Sequence, residues 1–270
     1  AASVCVERAI AAWTEQFARL WDRLPLRAGL VAFPRMAPFQ AVIEATRNLE
    51  HDLDQGGPET WCVCDTERRE GVLALHLKRP NGQCEVRSVP VTLPDGRDDV
   101  FYPYSAVDDD RVRFPRDFQH PDGRVFRHAL DLKAGDGITV QPARVATLFL
   151  DATARRFDPL DVRPLAEWTR MRATWRLIAD VAPSLTALRG GWAELVAKRE
   201  AWRGPDGGWL AGGEQAWREL VRTIFSTRLG ARGAALDHLV EAAADGSLAW
   251  ALDWHLSVLK ERLAEVAHAG

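Results

Sequence analysis

The sequence predicts an α+β protein in three parts: a helix–strand–helix unit, a β-rich middle region and a C-terminal helical bundle. Three patterns indicate this. Apolar residues recur every three or four positions from Val6 to Leu24, which is typical of an amphipathic helix. Leu73, Leu75 and Leu77 alternate with less apolar residues, as in a half-buried strand, and helical spacing returns after residue 164. The predicted boundaries are 1–57, 58–157 and 158–270.

The first part contains one short apolar run, residues 26–33, between two helical segments. Pro34 ends the run, and Pro38 suits the first turn of the next helix because its missing N–H would be unpaired there anyway. One strand cannot form a sheet, so its hydrogen-bonding partners must come from later in the chain or from another polypeptide. We predict that residues 1–53 pair with a segment outside this chain.

The middle and C-terminal parts differ in the spacing of their apolar residues. Asn81-Gly82 follows an alternating run and predicts a type I′ hairpin, and further strands are expected at 125–132, 138–145 and 147–150. No strand is expected after residue 151. Helices are expected at 164–181 and in four later segments. Most of the tryptophans of this part, such as Trp168 and Trp175, are expected to lie in the seams between helices.

Charge and hydropathy limit the class of protein. The formal net charge is −3, which excludes a strongly basic protein but leaves room for a local basic patch. No apolar run is long enough to span a bilayer and no secretory signal is recognisable, so we expect a cytoplasmic protein with no membrane partner. The four cysteines are consistent with a reducing compartment.

No complete catalytic, metal or cofactor site is recognisable in the sequence. Cys62, Cys64 and Cys84, with His51 and His76, are potential metal ligands, but their spacing does not match the paired knuckles of a structural zinc site. We expect these cysteines to be small buried residues of strands, and whether they bind a metal stays open. The acidic run at 108–110 is expected to be a solvated loop, since consecutive side chains do not converge on one cation. No cofactor is predicted.

The densest basic stretch is the candidate nucleic-acid site. It consists of Arg155, Arg156, Arg163, Arg170 and Arg172. On a helix, Arg163 and Arg170 would lie about two turns apart and face the same way, while Arg172 would project elsewhere. These guanidinium groups are suited to phosphate contacts. The alternative is a solvated surface on which they pair with neighbouring acidic residues, namely Asp151, Asp158, Asp161 and Glu167.

Residues 26–53 resemble the end of the second palm domain in the large, polymerase-like subunit of type III CRISPR effector complexes. In that family a helix precedes the last palm strand, which carries a glycine, here Gly29, and is followed by a proline-containing loop and a helix with a small-residue face. Residues 118–128, 132–138 and 149–157 are similar to one divergent branch of these subunits. The C-terminal helices resemble the terminal helical domain of the family. The resemblance implies that the helix–strand–helix unit is part of a ferredoxin-like palm.

The chain departs from the active members of that family. Large subunits that make cyclic oligoadenylate carry Gly-Gly-Asp-Asp on a palm hairpin, whose carboxylates hold two metal ions for nucleotidyl transfer. No Gly-Gly of this sequence is followed by Asp-Asp, and the nuclease domain of the family is also missing. The resemblance therefore implies the C-terminal part of a large subunit, split or cleaved after that hairpin, with no catalytic residue of its own.

The function that the resemblance implies is a structural and RNA-contacting module of an RNA-guided antiviral complex. Its expected partners are the small and backbone subunits, the remainder of the large subunit, and the guide and target RNA, with the five arginines as RNA contacts. Two alternatives remain. The chain is the C-terminal half of a split oligoadenylate cyclase that is active only with its other half, or it is a free-standing soluble binding module.

Overall fold

The fold is α+β, which confirms the predicted class. The computed structural model describes residues 2–150, 161–204 and 208–258. The chain divides into two compact units, Ala1–Leu165 and Ala166–Gly270. Within the described residues, all the strands of the two sheets lie in the first unit. The second unit is helical and has one isolated β-bridge, between Arg203 and Trp209.

The first unit contains two α-helices and ten strands in its described residues. The helices are α1 (Ala2–Gln16) and α2 (Phe39–Asp54), with a 3₁₀ turn at Ala129–Asp131. The strands are β1 (Arg27–Ala32), β2 (Glu59–Arg69), β3 (Val72–Lys78), β4 (Cys84–Pro90), β5 (Tyr104–Val107), β6 (Phe118–Gln119), β7 (Val125–His128), β8 (Gly137–Val140), β9 (Arg144–Phe149) and β10 (Asp161–Pro164).

The small sheet has three strands in the order β1-β9-β10. Its central strand β9 runs parallel to β1 and antiparallel to β10. Helix α2 packs on one face, where Leu49 and Leu53 join Ala146 and Leu148 in a buried apolar cluster. A Cβ at position 29 would lie 2.4 Å from a methyl carbon of Leu49, so Gly29 allows the helix to approach the strand this closely.

One expectation about this sheet is wrong, and the pairing of residues 1–53 with a segment outside this chain stays a prediction. Strand β1 does find a partner within the chain, since Arg27–Ala32 pairs with Arg144–Phe149. Only its second edge has no partner among the residues that the structure describes. Asp161–Pro164 forms a strand where the sequence predicts none, because four residues ending in proline are too short to show an alternating pattern. The small sheet thus takes two of its three strands from beyond residue 57.

The large sheet has seven strands in the order β4-β3-β2-β8-β5-β7-β6, all antiparallel to their neighbours. Strand β3 buries Leu73, Leu75 and Leu77, as its alternation predicts. The β3–β4 hairpin forms around Asn81-Gly82, but of these two residues only Gly82 has a positive φ, so the type I′ turn is wrong. Pro80 fixes a negative φ ahead of them and favours a type I turn, which the left-handed glycine then closes.

The second unit consists of five α-helices in its described residues. They are α3 (Leu165–Val181), α4 (Leu185–Arg199), α5 (Gly213–Arg228), α6 (Gly233–Asp245) and α7 (Ser247–Leu252), with a 3₁₀ turn at Glu200–Trp202 and a π-helical turn at Asp253–Val258. The ring of Trp168 contacts those of Trp250 and Trp254 at centroid distances of 5.7 and 5.9 Å. Trp168, Trp175 and Trp217 are fully buried, which confirms that tryptophans fill this core. None of the helices that the structure describes is long and apolar enough to cross a membrane.

Candidate nucleic-acid interface

The five predicted RNA-contacting arginines are divided between the two units and the residues that the structure does not describe. Arg155 and Arg156 lie outside the described residues. Arg163 lies on strand β10 of the first unit, whereas Arg170 lies on α3 of the second. The expectation that these two face the same way on one helix is wrong, because the helix begins only at Leu165. Their role in RNA binding stays a prediction.

Arg170 and Arg172 have different surroundings within the second unit. Arg170 is half-exposed, and its Nη1 lies 3.5 Å from Oδ2 of Asp245 on α6. Arg172 is buried, with Nη1 3.0 Å from Nε2 of His255, whose ring stacks on that of Trp175 at a centroid distance of 4.5 Å. Of the two, only Arg170 presents its guanidinium to solvent. Arg172 is a packing residue of the helical core.

The three cysteines of the middle region lie on the exposed side of the large sheet, and the expectation that they are buried is wrong. Trp61 and Val63 of β2 point into the core, so the alternation of the strand turns Cys62 and Cys64 outwards. Cys84 on β4 is exposed as well. Within the described ranges, no group of three or more His, Cys, Asp or Glu side chains is arranged to hold a metal ion.

A buried arginine lies at the centre of an acidic cluster that sequence reasoning missed. Arg127 of β7 is 1% exposed and contacts Asp117, Asp136 and Asp109 at 3.2, 3.1 and 3.5 Å. Desolvation lowers the pKa of Arg127, but hydrogen bonds and charge from Asp117 and Asp136 outweigh it and leave that pKa raised. Asp109, from the acidic run expected to be a solvated loop, is therefore engaged with an arginine. We call Arg127, Asp109, Asp117 and Asp136 the buried ion cluster.

The aspartates of this cluster also order the backbone around it. Oδ2 of Asp117 accepts hydrogen bonds from the N–H groups of Arg113 and Phe114 at 3.0 and 3.2 Å. Oδ2 of Asp136 accepts one from Lys133 N–H at 2.9 Å. The cluster therefore ties two loops to strand β7.

Exposed aromatic rings gather at one end of the large sheet. Phe101, Tyr102 and Phe118 are 71%, 55% and 43% exposed. Phe118 stacks on Phe126 of β7, with centroids 5.2 Å apart and planes 8° from parallel. Arg23 lies beside them, with Cζ 5.8 Å from the Phe126 centroid and Nη2 donating to the Tyr102 carbonyl at 2.9 Å. We call Arg23, Phe101, Tyr102 and Phe118 the aromatic surface.

Other arginines near these rings have carboxylate partners of their own. Arg116 donates from Nε and Nη2 to the two carboxylate oxygens of Asp131, both at 2.8 Å. Arg124 donates from Nε to Asp122 at 2.8 Å. The nearest carboxylate to Arg23 is the buried Asp22, whose Oδ1 lies 3.7 Å from Nε, beyond hydrogen-bond distance. Arg23 is thus the least neutralised of the three guanidinium groups.

Comparison with known proteins gives no relative from which a function could be transferred: no protein-family model, no curated protein and no solved structure matches this chain.

Proposed function

We propose that this chain is a structural and RNA-contacting module of an RNA-guided type III CRISPR effector complex. It would join the remainder of a large subunit through strand β1 and contact guide and target RNA. The proposal rests on the resemblance of residues 26–53 to the end of a palm domain. The structural observation that supports it is the second edge of β1, which no strand in the described residues occupies, because a free edge is where another polypeptide adds a strand.

The backbone of β1 identifies the groups at this edge. The carbonyls of Leu26 and Ala32 accept hydrogen bonds from Arg144 and Leu150 of the β9 region, both at 2.9 Å. Because N–H and C=O directions alternate along a strand, the odd-numbered residues between them, Gly29 and Val31 among them, direct these groups towards the free edge. These backbone groups are available to an incoming strand.

Helix α2 leaves room above that edge. A cleft of about 360 Å³ lies between β1 and the helix, and Gly29, Leu49 and Leu53 line its apolar part. Arg27 and Asp54 form an ion pair at its rim. An added strand would place a side chain in this cleft. It would also cover apolar surface that β1 and β9 leave exposed, and burial of this surface favours association.

Replacing Val31 with proline is expected to weaken association with the other effector subunits while the small sheet persists. Proline removes the N–H that faces the free edge, and the bonds to β9 come from the neighbouring residues. One lost hydrogen bond in a newly buried ladder should weaken binding by at least about tenfold. The measurement is copurification of the co-expressed small, backbone and remaining large subunits with guide RNA.

The matched control is Val31→Ala, which loses the same packing but keeps the N–H, and it should copurify like the wild type. Equal recovery with Val31→Pro would show that the β1 edge is not the interface. A lone monomer that never recovers guide RNA or subunits would favour the free-standing binding module. Turnover of ATP to oligoadenylate by the reassembled complex, but not by this chain alone, would favour the split cyclase.

Changing Arg155 and Arg156 to alanine should weaken RNA binding of the assembled complex for all sequences alike. Each phosphate contact adds roughly 0.7 to 0.9 to the slope of log affinity against log salt, so the double variant should lower that slope by about one to two units. Titration with target RNA across a salt series measures it. Equal slopes for wild type and variant would mean that these side chains do not contact phosphates.

A further inference from the structure

We propose that the aromatic surface is a binding site for single-stranded RNA, with bases stacked on Phe101, Tyr102 and Phe118 and a phosphate against Arg23. The choice of RNA as ligand rests on the proposed function. The proposed RNA contact lies on the large sheet. It involves none of the five arginines that were identified from the sequence.

The Phe118 ring is exposed yet held in place by its neighbours. Phe118 is supported from behind by its stack on the buried Phe126, and Tyr104 contacts its edge at a centroid distance of 5.2 Å. The hydroxyl of Tyr104 donates to the carbonyl of Val100 at 3.1 Å and so ties down the loop that carries Phe101. Preorganised rings lose little conformational entropy when a base stacks on them. Every base has a π face, so the site would tolerate any sequence.

Charge favours a phosphate at Arg23 in particular. Arg116 binds both carboxylate oxygens of Asp131, and Arg124 donates a hydrogen bond to Asp122. Arg23 donates to a backbone carbonyl, and the carboxylate of Asp22 lies 3.7 Å from it. Burial raises the pKa of Asp22 to about 6, which weakens its competition for Arg23 as the pH approaches that value. Arg23 also lies over the Phe126 ring, so phosphate and base contacts would be adjacent.

The exposed rings favour single-stranded RNA over a double helix. Stacking on a side chain requires an unpaired base, because bases of a duplex already stack on one another. Phe101, Tyr102 and Phe118 offer such ring faces at the surface.

The test compares the affinity of the full chain and two variants for a labelled oligouridine of about 12 nucleotides, in a salt series. Phe101→Ala is expected to raise Kd at least about fivefold with an unchanged salt slope, since a lost stacking contact releases no counterions. The matched control is Phe39→Ala on α2. Phe39 is 77% exposed and lies outside the aromatic surface, so its removal should leave Kd unchanged.

Each contrary result has a distinct meaning. If the wild type binds the oligouridine and Phe101→Ala binds equally well, the aromatic surface is not the site, while an RNA-contacting role persists. If the wild type does not bind, both the site and that role fall, whereas the assembly role is measured separately by the Val31 variants. Equal affinity for duplex RNA, or loss of a copurifying protein rather than of RNA on Phe101→Ala, would also overturn the proposal.

Discussion

Replacing Arg127 with methionine is expected to destabilise the first unit by about 3–5 kcal/mol, because the variant leaves buried carboxylates without their cation. The side chain of Asp117 is fully buried and faces Arg127 at 3.2 Å, and Asp136 faces it at 3.1 Å. Methionine has a similar volume, so the loss would come from charge rather than from a cavity. Urea unfolding followed by tryptophan fluorescence measures the change.

Two comparisons separate this charge effect from general damage. Arg124→Met removes an arginine next to strand β7 whose carboxylate partner, Asp122, is exposed. The free energy of unfolding of this variant should stay close to that of the wild type. Combining Arg127→Met with Asp117→Asn should recover part of the lost stability, because the unpaired charge is then gone. A loss below about 1 kcal/mol in Arg127→Met would contradict the central role of the buried ion cluster.

Asp22→Asn is expected to stabilise the protein at pH 7 and to have less effect at pH 4. Burial raises the pKa of Asp22 from 3.8 to about 6, and its Oδ2 is buried with no hydrogen-bond partner in the described part of the chain. A carboxyl whose pKa is higher in the folded state contributes stability below its unfolded pKa and loses it as the pH rises through about 6. The shift corresponds to roughly 3 kcal/mol.

The measurement is the difference in unfolding free energy between the wild type and Asp22→Asn from pH 4 to pH 7. Asp131→Asn provides the control of opposite sign. Hydrogen bonds from Arg116 lower the pKa of Asp131, so its contribution is present above the unfolded pKa and is lost as the pH falls. A pH-independent difference for Asp22→Asn would show that this carboxyl titrates normally in the folded protein.

The large sheet was more predictable from sequence than the small one. The alternation of Leu73, Leu75 and Leu77 indicates which face of β3 is buried. The turn at Gly82 indicates that β3 pairs with the next strand, β4. Such signals are local. The pairing of β1 with β9 joins Arg27 to Arg144 in parallel, and no local turn marks it. The four-residue β10 shows no such pattern, and the predicted helical bundle, which begins at residue 158, includes its segment.

The candidate sites were harder to predict for the same reason. Five aspartates lie between residues 108 and 122, and the sequence does not show which of them converge on Arg127. The one available signal was an arginine within a short strand next to Val125 and Phe126, since a buried arginine requires carboxylate partners. Phe101-Tyr102 was also visible in the sequence, but only the structure brings Tyr102 next to Arg23 and Arg23 over the Phe126 ring on which Phe118 stacks.

The pairing of β1 with β9 makes the large sheet an insertion within the small α/β layer. Strand β1 and helix α2 leave the ribosome before β9, yet the surface that α2 covers is completed only by Ala146 and Leu148 of that later strand. Until then Leu49 and Leu53 have little to pack against, and contacts of such long sequence separation form slowly. Folding of the layer therefore awaits synthesis of the large sheet. Strand β1 and helix α2, although made before the large sheet, would reach their native packing after it.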